Sequence, residues 1–283
     1  MCGIVGVIRN ALNYNTEVID RRTKDTFNNM LLLSQSRGSD STGVFIVNEP
    51  QNEIKWIHTQ SVRVTNPGKI TVFKDDVPAE FFLKTAGFSE FMKRFGENTR
   101  ALIGHTRAAT SGEPTNNRNN HPHICGNVVG VHNGVITNWK TLVKKFNLPM
   151  NGSCDSEVIF QLMNHFIKEG SPLKDAIIET SKHLNGSYAC AVALKENNGE
   201  YALFRHSAPL FIRYRQYGTT VLFASELDFI RKAYISAKWE EKHSPNYFEM
   251  YEYDLPNNYG VIVSTKSKNS NLLQENFPFK LHS

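Results

Sequence analysis

The sequence predicts an α+β fold in layers, with sheets packed together and helices outside. Three observations predict it. Apolar runs rich in β-branched and aromatic residues recur along most of the chain, helical spacing is confined to a few stretches, and no shift in composition divides the chain. Residues 2–265 read as one domain. Residues 266–283 read as a polar C-terminal tail whose end offers Phe277, Phe279 and Leu281 for docking.

The first element is a buried strand over residues 2–8, CGIVGVI, which is apolar and β-branched. A helix from Asp20 to Ser34 follows from the spacing of Phe27, Met30, Leu31 and Ser34. Arg37-Gly38-Ser39-Asp40-Ser41 has turn chemistry, and a short strand follows at Val44–Val47. Residues 54–73 read as strands (IKWIH, SVRV, ITVF) broken at Asn66-Pro67-Gly68. A short helix is expected from Ser89 to Phe95, a strand at Leu102–Thr106 and a polar loop from Arg107 to His123. A hairpin strand at Asn127–His132 ends in Asn133-Gly134, a dipeptide suited to a two-residue hairpin turn. Helices are expected at Asp155–Lys168, with Val158, Ile159, Leu162 and Phe166 on one face, and at Pro172–Leu184. The remainder reads as strands: YACAVAL, YALFRH, LFIRYR, VLFAS, EMYEY and GVIVST.

Composition excludes several classes. With 283 residues, 40% hydrophobic and 11% aromatic, the chain can build a sizeable core and is too apolar for disorder. Four cysteines without paired spacing do not make a disulfide scaffold; free thiols in a reducing cytoplasm are expected. No apolar run approaches the roughly 20 residues that cross a bilayer, and the first residues lack a signal peptide's basic start, so no membrane partner is expected. The net charge of +5 comes from scattered basic residues, the densest cluster being Arg21-Arg22-Thr23-Lys24; this reads as a solvated helix face, not a nucleic-acid footprint. His105, His121, His123 and His132 with Cys125 have no standard metal spacing and read as hydrogen-bonded loop histidines, with no metal expected. There is no glycine-rich phosphate loop, and no cofactor is expected.

The most informative residue is the second. Removal of Met1 would leave Cys2 carrying both a thiol and a free α-amine, with reference pKa values of about 8.5 and 8. Nucleophile and base then share one residue, and no separate histidine is required. Alternatively Met1 stays and Cys2 is a small buried residue.

The surrounding motifs bear on that choice. Met1-Cys2-Gly3-Ile4-Val5-Gly6, Arg37-Gly38-Ser39-Asp40-Ser41-Thr42-Gly43, Gly104-His105-Thr106-Arg107-Ala108-Ala109-Thr110 with His121-Pro122-His123, His132-Asn133-Gly134-Val135-Ile136 and Cys154-Asp155-Ser156-Glu157-Val158 occur in that order. Leu184–Ala189, Ser207-Ala208-Pro209-Leu210 and Phe223-Ala224-Ser225 continue the series. Together they resemble the class II glutamine amidotransferases, a branch of the N-terminal-nucleophile hydrolases, over roughly residues 2–226. Within that family the likeness is nearest to the glutaminase half of glucosamine-6-phosphate synthase.

The resemblance implies a four-layer αββα sandwich of two antiparallel sheets flanked by helices, the N-terminal-nucleophile hydrolase fold. It implies hydrolysis of L-glutamine to glutamate and ammonia through a γ-glutamyl thioester on Cys2. The sugar-isomerase half is missing from the chain, so the ammonia acceptor is expected on a separate synthase protein, or to be absent. The oligomeric state is left open. Asn133 and Gly134 suit an oxyanion hole, one by a side-chain amide and the other by an unobstructed backbone N–H; a plain hairpin turn is the alternative, and both can hold at once. Arg107 suits the substrate's α-carboxylate, because a planar guanidinium grips it with two hydrogen bonds. Asp155 suits the α-ammonium, or merely caps a helix. Thr110 and Ser111 line the same pocket, and Arg37, in a turn near the nucleophile, orders it. Relatives carry tryptophan where this chain has Ala108 and histidine where it has Ser111; neither change is expected to touch the nucleophile or oxyanion positions. The stretch from Glu49 to Asn98 reads as an insertion that covers the site or binds a partner. Two other readings stay open: a non-catalytic binding or regulatory module on the same fold, and an amidohydrolase for another small amide.

Overall fold

The computed structural model describes residues 1–10, 16–49, 62–66, 70–196, 199–215, 220–238, 250–265 and 278–282. Two antiparallel sheets lie face to face. The larger contains β1 (Gly3–Arg9), β2 (Ser41–Asn48), β3 (Val62–Asn66), β4 (Ile70–Asp75), β5 (Thr99–Arg107), β10 (Phe211–Arg215), β11 (Thr220–Ala224) and β12 (Met250–Asp254), in the order β12-β10-β11-β1-β5-β2-β4-β3. The smaller contains β6 (His123–Cys125), β7 (Val128–Ile136), β8 (Gly186–Leu194), β9 (Glu200–His206), β13 (Tyr259–Ser264) and β14 (Phe279–Lys280), in the order β14-β13-β9-β8-β7-β6.

The layering follows from the period-two alternation of strand side chains. On β1, Ile4 and Ile8 join the core between the sheets while Val5 and Val7 point to the outer helices. On β8, Ala189, Ala191 and Ala193 face the other sheet, and Cys190 and Val192 face outward under helices. Every residue of β1 is buried, which is why these strands read as unbroken apolar runs: both faces are covered. The outer layer on the larger sheet is built from α1 (Thr16–Ser34), α2 (Ala79–Phe82), α3 (Ala86–Met92) and α7 (Leu227–Ser236). Over the smaller sheet lie α4 (Trp139–Phe146), α5 (Glu157–Lys168) and α6 (Leu173–Ser181). The result is the expected four-layer αββα sandwich.

Several local expectations change. The first helix begins at Thr16, and β2 starts at Ser41, directly after the Arg37 turn. The helix expected at Ser89–Phe95 sits at Ala86–Met92, started by the Thr85 hydroxyl accepting from the Phe88 N–H at 3.1 Å. Helices α4 and α7 were not expected: each spans only two to three turns, too short for its helical spacing to stand out among the neighbouring apolar runs. Asn133-Gly134 is not a hairpin turn: β7 runs through it and pairs Asn133 with Ala189 and Gly134 with Tyr188. Of the strands expected at 54–73, β3 and β4 are present and IKWIH lies outside the described residues. Phe279 and Leu281 are buried against the smaller sheet, with Phe279 forming β14; Phe277 lies outside the described residues. No helix among the described residues is long and apolar enough to cross a membrane.

Phe223 tests the layer between the sheets. It is fully buried there, opposite Gly6 in the ladder, and a side chain on Gly6 would run into its ring. Phe223→Ala is expected to lower unfolding free energy by about 3–5 kcal/mol in urea titration; a loss under about 1 kcal/mol would show that the sheets do not pack through this ring.

Candidate active site

The alternation that builds the core also builds the site. On β1 the inward set Ile8, Ile4 extends to Cys2; on β5, Ala101 and Ile103 lead to His105 and Arg107; on β7, Val129 and Val131 lead to Asn133; on β11, Val221 and Phe223 lead to Ser225. All four strands therefore deliver polar side chains to one end of the inter-sheet layer.

Cys2 is half-buried at that end, while Met1 is 84% exposed. The Ala108 N–H donates to Cys2 Sγ at 3.3 Å, and the Ala108 carbonyl lies 3.5 Å from the same sulfur. Ala108 thus touches the nucleophile position through its backbone, a contact that does not depend on the side chain at this position. Burial pushes the Cys2 thiol up, against smaller downward effects of the Ala108 hydrogen bond, the chain's terminal ammonium and Arg107. A thiol of this kind needs a nearby base.

The Cys2 carbonyl accepts from Arg37 Nε at 2.7 Å and from Asn133 Nδ2 at 2.8 Å. Arg37 pairs with Glu226 at 2.8 Å, so its guanidinium grips the nucleophile's residue. Asp40 in the same turn accepts from the Ala109 N–H at 2.7 Å and so shapes the loop after β5. Gly134 has φ +134°, and any side chain there would collide with the Ser187 carbonyl.

Arg107 and Asp155 come together through Ser111. The buried Arg107 donates to Asn120 Oδ1 and the Gly112 carbonyl, each at 2.8 Å, and to the Ser111 carbonyl. The Ser111 hydroxyl donates to Asp155 Oδ1 at 2.7 Å, and the Ile136 N–H donates to Oδ2 at 2.7 Å. Asp155 does not cap α5 through its side chain: its carboxylate ties β7 to the loop after β5. Thr110 is exposed on that loop.

Four imidazoles lie buried beside these groups. The ring centroids of His105 and His121 are 3.9 Å apart, and those of His121 and His123 are 4.6 Å apart. His105 Nε2 meets the His132 carbonyl at 3.0 Å, and His132 Nδ1 meets Ser156 Oγ at 2.8 Å. His121 has no hydrogen-bond partner on either ring nitrogen, nor does His123 on Nε2, so only half of the set matches the hydrogen-bonded expectation. Burial holds His105 down to about 3 and pushes His121, His123 and His132 below the usual histidine range. No cluster of His, Cys, Asp or Glu suited to a metal ion is formed among the described residues. All four cysteines are free.

Ser225 and Glu226 were missed as site residues, as were Asn120 and Ser156. The signal for Ser225 was present: it is two residues beyond the inward Phe223.

Residues 105–232 match the family model described as a glutamine amidotransferase domain. Glutamine–fructose-6-phosphate aminotransferase (isomerizing) of Acinetobacter baylyi is 30% identical over 215 residues, covering 75% of this chain and 29% of that protein. The enzyme of the same name from Staphylococcus aureus is 29% identical over 247 residues, covering 86% of this chain and 35% of that protein. The chain thus spans about a third of these relatives. The Bacillus subtilis glutamine phosphoribosylpyrophosphate amidotransferase structure superposes with a TM-score of 0.63 at 17% identity, covering 94% of this chain and 48% of that one, a likeness of fold.

The buried imidazoles carry a pH consequence. They bind fewer protons folded than unfolded, so stability is retained above about pH 6.5 and lost as pH falls from there toward 3. Thermal denaturation at fixed ionic strength should show Tm falling steadily between pH 6.5 and 4, to a smaller extent in His105→Gln. A flat Tm across that range would refute neutral burial of the cluster.

Proposed function

We propose, from the premise that this chain carries a glutamine amidotransferase domain, that it hydrolyses L-glutamine to L-glutamate and ammonia through a thioester on Cys2. The observation that carries the reading is the convergence on one residue: Cys2 Sγ lies 3.3 Å from the Ala108 N–H while its carbonyl is held by Asn133 and Arg37, from three distant parts of the chain.

In this reading Met1, being 84% exposed, is removed and frees the Cys2 α-amine. The amine takes the thiol proton as sulfur attacks the γ-carboxamide carbon. The oxyanion is received by Asn133 Nδ2 and the Gly134 N–H. The tetrahedral adduct collapses, the C–N bond breaks, and the amine's proton leaves with ammonia. Water then attacks the thioester, the amine again accepting a proton, and glutamate departs with the thiol restored. Arg107 and Asp155 supply the charges that match the α-carboxylate and α-ammonium, with Ser111 lying between them and Thr110 beside it. Arg37 positions Cys2. Burial lowers the basicity of the four imidazoles, which makes them weak substitutes for the amine as base. The ammonia goes to a synthase partner, and the reaction takes place in the cytoplasm. No nucleic acid, membrane, cofactor or metal enters this scheme.

Glutamate release from L-glutamine tests it. Cys2→Ala should abolish release, and intact mass of the active protein should lack Met1; turnover by Cys2→Ala, or by protein retaining Met1, would overturn the mechanism. Because the amine must be unprotonated to act, kcat/KM should rise with pH and level off near the amine's pKa of about 8. A profile that falls across that range would contradict an amine base.

A further inference from the structure

Both groups that hold the Cys2 carbonyl are themselves held by two consecutive residues. Asn133 Nδ2 donates to Ser225 Oγ at 2.6 Å, and Arg37 is paired with Glu226. Ser225 also closes on the strand behind the nucleophile: its Oγ accepts from the Ile4 N–H at 2.8 Å, and its own N–H donates to the Ile4 carbonyl at 2.9 Å. Ser225 is fully buried, so no water substitutes for any of these bonds.

We propose that Ser225 and Glu226 form a positioning clasp that sets which end of the Asn133 amide faces the nucleophile. The proposal rests on the reading of Cys2 and Asn133 given above. Ser225 Oγ receives the Ile4 N–H and points its own proton at the Ile4 carbonyl, 3.5 Å away, so only a lone pair remains for Asn133; the Cys2 carbonyl can only accept. Both therefore demand the NH2 end of the amide, and Asn133 Oδ1 is left buried with the His105 imidazole as its polar neighbour and no hydrogen bond of good geometry. The arrangement leaves one N–H anchored on Ser225. The other can swing from the Cys2 carbonyl to an oxyanion, because Arg37, steadied by Glu226, continues to hold that carbonyl at 2.7 Å. Without Ser225 Oγ the amide is free to turn its oxygen toward the nucleophile, where it repels the developing negative charge. Neither residue touches substrate; both act through Asn133 and Arg37.

Ser225→Ala should lower kcat for glutamine by about tenfold or more with KM within about twofold, as for a group felt only in the transition state. Alkylation of Cys2 by iodoacetamide forms no oxyanion and should stay within about twofold of the wild-type rate. Parallel loss of turnover and alkylation, or no loss of either, would overturn the clasp. In 15N-asparagine-labelled protein, the Asn133 side-chain NH2 should exchange with solvent about tenfold faster in Ser225→Ala than in the wild type. Equal exchange overturns the clasp even if the wild type proves inert on glutamine, an outcome that by itself sinks only the functional reading. Should Ser225→Ala not fold, the half-exposed Glu226 supplies the second variant: Glu226→Ala should reduce kcat, and Glu226→Gln, which keeps an acceptor for Arg37, should restore part of it. Equal kcat in all three proteins would refute the clasp.

Discussion

The carbonyl oxygen of Cys2 receives one hydrogen bond from each side of the sandwich. Arg37 reaches it from the turn between α1 and β2, and Asn133 reaches it from β7 in the opposite sheet. That single atom fixes the position of the chain's second residue, which would otherwise fray as terminal residues do. The constraint works only because the sheets are stacked at a set distance and in register. The inter-sheet core of aliphatic side chains, Phe45, Phe223 and the small alanines of β8 is what sets that distance. Packing deep in the sandwich is thus transmitted to its polar end.

The end itself is electrostatically quiet. Four imidazoles are kept neutral by burial, and the same burial raises the thiol. The ionic side chains there are surrounded by backbone groups instead of water: Arg107 by loop carbonyls, Asp155 by the Ile136 N–H and the Ser111 hydroxyl. Burying such groups is tolerable only when their hydrogen bonds are replaced. Here the loop after β5 does the replacing, which explains why so polar a segment, from Arg107 to His123, is folded back against the sheets. Ser111 sits at the junction of the two charges: its hydroxyl serves Asp155 and its backbone carbonyl serves Arg107, so a side-chain change there removes only the bond to Asp155.

Much of the sandwich was legible because strands buried on both faces leave long apolar runs such as CGIVGVI and YACAVAL. Helix α5 was legible from Val158, Ile159, Leu162 and Phe166, its apolar face. Helices α4 and α7 were not, since each spans only two to three turns and its helical spacing is read over too few residues to stand out. For a related reason Asn133-Gly134 kept a hairpin turn open as the alternative to an oxyanion hole. Its local preference for a hairpin is outweighed by nine residues of pairing with β8, a long-range interaction invisible from the dipeptide. For Arg37 the contact was not legible, since its partners Cys2 and Glu226 lie 35 and 189 residues away in the chain.

What the sequence determined by itself was the chemical inventory and the order of the layers: a thiol at position 2, an amide, a guanidinium and a carboxylate in ordered motifs, carried on strands whose alternation assigns each residue to a face. What only the tertiary structure decided was who holds whom. The Cys2 carbonyl shared by Arg37 and Asn133, the Ser111 bridge between Arg107 and Asp155, and the grip of Ser225 and Glu226 depend on strand order and on the stacking of two sheets. Periodicity specifies a direction for each side chain, but a hydrogen bond between sheets requires a distance, and that distance is set by the whole packed core.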